Sequence, residues 1–324
     1  MSLRRAIPLD REPSRDEVPL ADGYKFPLFL APDVKAGAPG RRDVSELILE
    51  FAGSGRLDIV RSLESGPLRF TELSKVLEMS TGEISRNLKR LVASGLLQKD
   101  AEGAFELAPL GRGLVAFVPA LQTLAARRDY FRDRDLASIP RSLVLRLDEL
   151  SAARLVTNPF RVADEFDRLI SETRTFNYGM CVVGSEGIGP EQEEMYRVQA
   201  GRLTEGSSDV KVILRPEELE TFGSLARRIA STVAQMVEVR TRPGLPATMM
   251  VSDGGAVIGL ADSRGRLDMN SGLVGPPGPM TDWCRDLFLH LWERAEPVRL
   301  VPAGGPGRSS VVGGLPQTRR GGAR

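Results

Sequence analysis

Between Ser80 and Leu97 the chain reads STGEISRNLKRLVASGLL, and this stretch constrains the fold more than any other. Ser80-Thr81-Gly82-Glu83 has the S-x-x-E spacing of a capping box, in which the serine hydroxyl accepts from the Glu83 amide and the carboxylate returns to the Ser80 amide. Behind it, Ile84, Leu88, Leu91 and Val92 fall at the i, i+4, i+7, i+8 spacing of one buried helical face. At about 100° per residue the opposite face holds Gly82, Ser85, Arg86, Lys89 and Arg90. Ser94-Gly95 closes the helix, with Gly95 suited to the left-handed position just past the end. The result is a helix over 80–94 that is aliphatic behind and cationic in front.

Its neighbours give it a setting. Leu47, Ile48 and Phe51 mark one helix, and Leu57, Val60 and Leu63 a second that stops at Ser65-Gly66-Pro67. A third follows, with Thr71 as N-cap and Leu73, Val76 and Leu77 as its buried stripe. Downstream, Leu97 to Lys99 and Ala104 to Leu107 read as two short strands around the loop Asp100-Ala101-Glu102-Gly103. Helix, tight connection, cation-faced helix and hairpin, in that order, predict a winged helix-turn-helix. Its second helix is long enough for the major groove and its wing reaches flanking backbone. Arg86 then serves a guanine edge or a phosphate, and Lys89 and Arg90 serve phosphates. Ser80, Thr81, Gly82 and Ser85 allow close approach, and Lys99 at the wing root reaches flanking phosphate. The competing interpretation is a three-helix core whose basic face is merely solvated, or a winged helix that binds only protein.

Charge sharpens the choice. Net charge is +1 over 324 residues, so no global field draws the chain to nucleic acid or membrane. Residues 41–130 hold 13 Lys/Arg against 12 Asp/Glu, and only Ser80 to Lys99 is distinctly basic, with four cations against Glu83. Modest affinity per monomer follows, and a homodimer joining two such patches. A helix from Pro109 towards Arg128, kinked at Pro119, offers Leu110, Leu114, Phe117, Val118, Leu121 and Leu124, an apolar stripe that its own domain or a second copy must cover. The start, MSLRRAIPLDREPSRDE, has no apolar run behind its charges, and no stretch approaches a membrane span. Two distant cysteines, Cys181 and Cys284, suit a reducing compartment. The expectation is a cytoplasmic protein without a membrane partner.

The remaining chain changes character. Residues 1–40 read as a flexible arm, 41–130 as the winged helix-turn-helix, 131–142 as a charged linker, 143–298 as a second domain and 299–324 as a disordered Gly/Pro/Arg tail. In the second domain, Tyr178 to Gly184, Asp209 to Leu214 and Met236 to Val239 are strand-like. Pro190 to Leu203 and Pro216 to about Ala234 are helical. Ala247 to Val251 and Ala256 to Ala261 form a hairpin through Asp253-Gly254-Gly255, and Trp283 to Trp292 is a last amphipathic helix. The fold class is α+β in two domains, the second an α/β sandwich with a mixed sheet.

Catalytic chemistry finds little support. His290, the one histidine, sits within the last helix beside Leu289 and Leu291. The Cys and His clusters that zinc or iron need are missing, as are a P-loop and a G-x-G-x-x-G after a strand. Cys181 reads as core and Cys284, beside Trp283, as a candidate redox thiol. No enzyme activity, cofactor or metal is expected.

Residues 44–120 resemble the ArsR-type winged helices of archaea through FTELSKVLEMSTGEISRNLKRLVASGLL and the hairpin after it. Residues 141–297 are similar to the second domain of archaeal regulators of the methanogenesis-regulatory-protein type. The carrying residues are Asp262-Ser-Arg-Gly265-Arg-Leu-Asp268 and Asp282-Trp283-Cys-Arg-Asp-Leu287-Phe288. The chain departs from that pattern at Cys284, where glycine is usual, and at Leu267, where an aromatic is usual. The resemblance implies a sheet related to phospholipase-D-like enzymes, whose His-x-Lys pair this chain lacks in its strands, hence a catalytically silent sensing domain. Ligands in open α/β sheets gather beyond the carboxyl ends of strands, which nominates Ser185, Arg215 and Asp253 for a small-molecule effector. The family-like motifs add Arg264, Asp268 and Trp283. The expected function is a sequence-specific transcriptional regulator on double-stranded DNA. The alternatives are a phosphodiesterase-like enzyme that uses the winged helix for docking and a non-catalytic adaptor.

Overall fold

A computed structural model describes residues 41–53, 55–181, 209–223 and 237–298. The expected arm at 1–40, the tail at 299–324 and the helix at Pro190–Leu203 lie outside the described residues. The first unit comprises α1 (Arg41–Ala52), α2 (Arg56–Ser62), α3 (Phe70–Val76), α4 (Thr81–Ala93) and the antiparallel hairpin β1 (Leu97–Lys99) and β2 (Phe105–Leu107). Ile59, Leu73, Ile84, Leu88, Leu91, Leu96 and Leu97 are buried together at its centre. Each such side chain contributes on the order of 1.5–3 kcal/mol over its exposed state.

Local signals largely set the helix ends, with two differences. The Ser80 hydroxyl accepts from the Glu83 amide at 3.3 Å, but it also donates to the Glu83 carboxylate at 3.1 Å, so the return bond to the Ser80 amide is replaced by a side-chain contact. That reciprocal bond occurs instead one helix earlier. Arg69, not Thr71, is the N-cap residue of α3, and its amide donates to Glu72 at 2.6 Å. Gly95 takes φ +73°, and the amides of Gly95 and Leu96 donate to the carbonyls of Val92 and Leu91, the paired bonds that close a helix at a left-handed residue. Val76 and Val92, expected inside, are 63% and 39% exposed, and Ile59 rather than Leu57 fills the centre of α2. Leu68 pairs in antiparallel fashion with Phe105 and extends the hairpin by one rung.

The kinked helix expected after the wing is two helices, α5 (Pro109–Val115) and α6 (Val118–Ala126), followed by a turn, α7 (Arg128–Phe131). Pro119 lacks the amide that would continue α5, and as an early residue of a new helix that loss costs little. Gly111 in α5 lies where a Cβ would come within 2.1 Å of the Leu96 carbonyl oxygen, so glycine lets α5 pack on the end of α4. The change of core falls inside α6: Val118 packs with the first unit, whereas Ala120, Tyr130 and Phe131 pack with the second. The 131–142 stretch is therefore no free tether. Phe131 and Ile139 are buried, and the backbone at Arg134 forms an isolated antiparallel β-bridge with Asp262.

The second unit is one eight-stranded sheet in the order β10-β6-β5-β4-β7-β8-β9-β3. β4 (Phe176–Met180), β5 (Asp209–Leu214) and β6 (Val237–Thr241) run parallel. β7 (Ala247–Ser252), β8 (Gly255–Leu260), β9 (Gly272–Gly275) and β3 (Arg154–Val156) follow antiparallel on one side, and β10 (Glu296–Val298) closes the other. Alternate residues face opposite ways. Met249, Val251 and Ile258 meet α10 (Pro279–Trp292), together with α8 (Arg141–Val144) and the 3-10 turn Leu147–Leu150. Met250, Val257 and Val274 meet α9 (Pro159–Glu172). Both faces are covered, so every residue of β7 and β8 is buried. α9 and strands β3, β9 and β10 went unread in the sequence, and β4 ends at Met180, where Cys181 turns to φ +48°.

Candidate nucleic-acid interface

α4 stands on Ile84, Leu88 and Leu91 and turns its other side to solvent. On that side Ser80, Thr81, Gly82, Arg86, Lys89 and Arg90 are exposed and Ser85 is half-buried. Among the described residues no carboxylate pairs with Arg86 or Lys89. Arg90 differs. Its guanidinium makes a two-point contact with Glu50 of α1, Nε to Oε2 at 3.0 Å and Nη2 to Oε1. The Arg90 fork holds the Glu50 carboxyl below the usual carboxylate range. Among the described residues Arg86 and Lys89 are thus exposed cations without a carboxylate partner, while Arg90 is a paired one.

The wing is not uniformly cationic. Lys99 at its root lies 5.0 Å from the centre of the Phe105 ring. At its tip the Asp100 carboxylate accepts the amides of Glu102 and Ala104, each at 2.9 Å, and Glu102 is exposed, 4.0 Å from Arg69. Phosphate attraction is therefore concentrated at the root, because two carboxylates at the tip repel the same groups.

The described residues nominated for an effector do not all lie at one end of the sheet. Ser185 lies outside the described residues. Arg215, past the carboxyl end of β5, makes a two-point contact with Glu218 at 2.8 and 3.1 Å. Asp253 sits in the β7–β8 turn, and because β7 runs antiparallel to β4 this is the opposite end of the sheet. There it accepts the amides of Arg174, Thr175 and Phe176. Burial pushes that carboxyl up, and the Thr175 and Phe176 amides outweigh it, leaving the group below its ordinary range. Arg264 is exposed in the turn whose amides Asp262 caps. Trp283 is fully buried and donates from Nε1 to the Leu143 carbonyl at 2.9 Å. Its role is packing.

Asp268 belongs to a cluster that sequence reasoning missed. Its carboxylate meets Arg134 and Ser271, and Arg134 also donates to the Leu260 carbonyl at 3.0 Å and covers the Tyr130 ring at 4.6 Å. The Tyr130 hydroxyl accepts the Leu260 amide at 3.2 Å. Arg134 sits in RDRDLASIP, where its charge signalled a solvated linker, and only Tyr130 and Ile139 beside it hinted at burial. A concavity of about 400 Å³ lies between the 3-10 turn and the start of α10, lined by Arg146, Asp148, Glu149, Pro279 and Asp282, none of them nominated. Cys284 is fully buried, and burial pushes its thiol far up, which removes the thiolate a redox sensor needs. Among the described residues no group of three His, Cys, Asp or Glu could hold a metal, and no helix is long and apolar enough to cross a membrane.

Several solved structures are similar. TrmBL2, an archaeal chromatin protein described with a novel mode of DNA binding, is 16% identical over 80% of this chain and 100% of its own, at a TM-score of 0.36. The riboflavin-analogue dimethyltransferase RosA from Streptomyces davawensis is 19% identical over 63% of this chain and 66% of its own, at 0.22. HmgR from Pseudomonas aeruginosa is 16% identical over 75% of this chain and 97% of its own, at 0.21. None of these scores establishes a shared fold. No curated protein matches by sequence. One match is local: residues 53–99, from the entry to α2 through the end of β1, fit the model for bacterial regulatory proteins of the arsR family, so the chain carries an arsR-type helix-turn-helix that includes α4.

Proposed function

We propose that the protein is a sequence-specific, DNA-binding transcriptional regulator. α4 lies in the major groove with Arg86 on a base edge and Lys89 on phosphate, and the wing root at Lys99 rests on flanking backbone. The observation that carries this reading is the pair Arg86 and Lys89, exposed and free of carboxylate partners among the described residues, on a capped helix inside the arsR-type segment. In this reading two copies of the chain act together as a cytoplasmic homodimer of the archaeal regulator type, each placing one α4 on a half-site. The second domain, a catalytically silent relative of phospholipase-D-like sheets of the methanogenesis-regulatory-protein type, senses a small effector or mediates assembly. The packed junction through α6, Tyr130, Phe131 and Arg134 supports coupling between the units, because a shift of the sheet domain is carried to the helix-turn-helix rather than absorbed by a slack linker.

The test is selection of genomic fragments by the purified full chain at fixed salt, with and without cell metabolites. A recurrent motif whose binding falls steeply with salt supports the reading. Binding without salt dependence, or measurable phosphodiester turnover, refutes it.

A further inference from the structure

One carboxylate joins α1 to the outer face of α4. Glu50 occupies the last turn of α1 and takes the Nε–Nη2 edge of Arg90 with both oxygens. Its backbone is held from the other side. Arg56 is buried and donates from Nε to the Glu50 carbonyl at 2.6 Å and from Nη2 to the Leu49 carbonyl at 2.7 Å, while its guanidinium lies 3.8 Å from the Glu50 carboxylate. The Glu50 side chain is 24% exposed and that of Arg90 is 53% exposed, so the pair sits at the surface, where a ligand can reach it.

A carboxylate and a phosphate offer a guanidinium the same pair of oxygens. The edge of Arg90 that a phosphate would take is filled, whereas Lys89 beside it has no carboxylate partner among the described residues. Resting on the DNA-binding reading above, we infer that Glu50 is an intramolecular competitor for phosphate: it withholds Arg90 from DNA and keeps the sequence-independent affinity of α4 low. A cation held by a fixed carboxylate neutralises no phosphate and so frees none of the counterions condensed on DNA, and Arg90 adds nothing to the salt dependence while the pair is closed. A phosphate contact adds equally to cognate and random duplexes, so the arrangement lowers both affinities and leaves discrimination to the base contact of Arg86. Glu50 is a positioning residue, acting through Arg90.

The experiment measures binding of the full chain to a random-sequence duplex across a salt series. Glu50→Gln keeps the side-chain shape and removes the charge. It is expected to tighten binding about eightfold per winged helix at 0.1 M salt and to steepen the log–log salt slope by about 0.9, the value of one added phosphate contact. The double variant Glu50→Gln, Arg90→Ala, which lacks both charges, returns to the unaltered protein. Binding by Glu50→Gln that is equal or weaker overturns the inference, as does a gain that survives in the double variant, since it would not act through Arg90. Should Glu50→Gln unfold, Glu50→Ala takes its place in both arms. If the unaltered protein shows no salt-dependent binding, the DNA reading itself fails. If binding is lost in Lys89→Ala but Glu50→Gln gains nothing, only the competitor role fails.

Discussion

Lys89→Ala and Arg86→Ala separate two kinds of contact that lie one helical turn apart. Lys89 and Lys99 are the exposed cations placed for phosphate, since Arg90 is paired with Glu50. Two contacts predict a log–log salt slope of about −1.8 per winged helix. Removing Lys89 should halve that slope and weaken binding about eightfold at 0.1 M salt, equally on cognate and random duplexes. Arg86 is assigned to a base edge, so Arg86→Ala should leave the slope alone. It should cost about 1–3 kcal/mol on the cognate site only and relax discrimination at one base position. Fluorescence anisotropy on cognate, singly substituted and random duplexes across 50–300 mM salt (about the range where slopes are measurable) reads all of these at once. An unchanged slope in Lys89→Ala refutes its phosphate contact. A uniform loss with a shallower slope in Arg86→Ala refutes base reading and makes Arg86 a third phosphate contact.

Three further outcomes follow from packing and titration. Gly111→Ala places a methyl 2.1 Å from the Leu96 carbonyl, a backbone atom that cannot turn aside, and should destabilise the first unit by about 1–3 kcal/mol in urea unfolding. Trp283→Ala empties the centre of the sheet domain and should cost about 3–5 kcal/mol, against a loss of effector binding with unchanged stability if Trp283 served a ligand instead. Asp253 and Asp268 both titrate below their ordinary range in the folded chain, so the stability they add is complete above the unfolded carboxylate value of about 3.9 and is lost as pH falls through their lower folded values. Urea midpoints measured from pH 7 downward should therefore drop below about pH 4, and less so in Asp253→Asn.

The two halves of the chain differed in how far they could be read without coordinates. α4 was legible because its determinants are local: a serine cap, an aliphatic stripe repeating every turn and a glycine that tolerates φ +73° all lie within the helix or two residues of its ends. The β7–β8 hairpin was legible for the same reason, since its turn and both flanks are contiguous. α9 does not stand out in the sequence although Val162, Phe166 and Leu169 share one face, because its charged residues obscure the stripe. Short strands such as β3 and β9 carry too few residues to show alternation.

The site divides along the same line. The sequence alone determined which residues form the cationic face of α4, because a helix places i and i+4 together whatever surrounds it. It could not decide which of those cations are free. Glu50 and Arg90 are 40 residues apart and Arg134 and Asp268 are 134 apart. A charge read along the chain looks solvated, and only the packing of α1 on α4, and of the 131–142 stretch on the sheet, shows which opposite charge it meets. Tertiary structure likewise set Asp253 apart from Arg215, since strand direction sets the end of the sheet at which a turn emerges and that direction is fixed by pairing between distant segments.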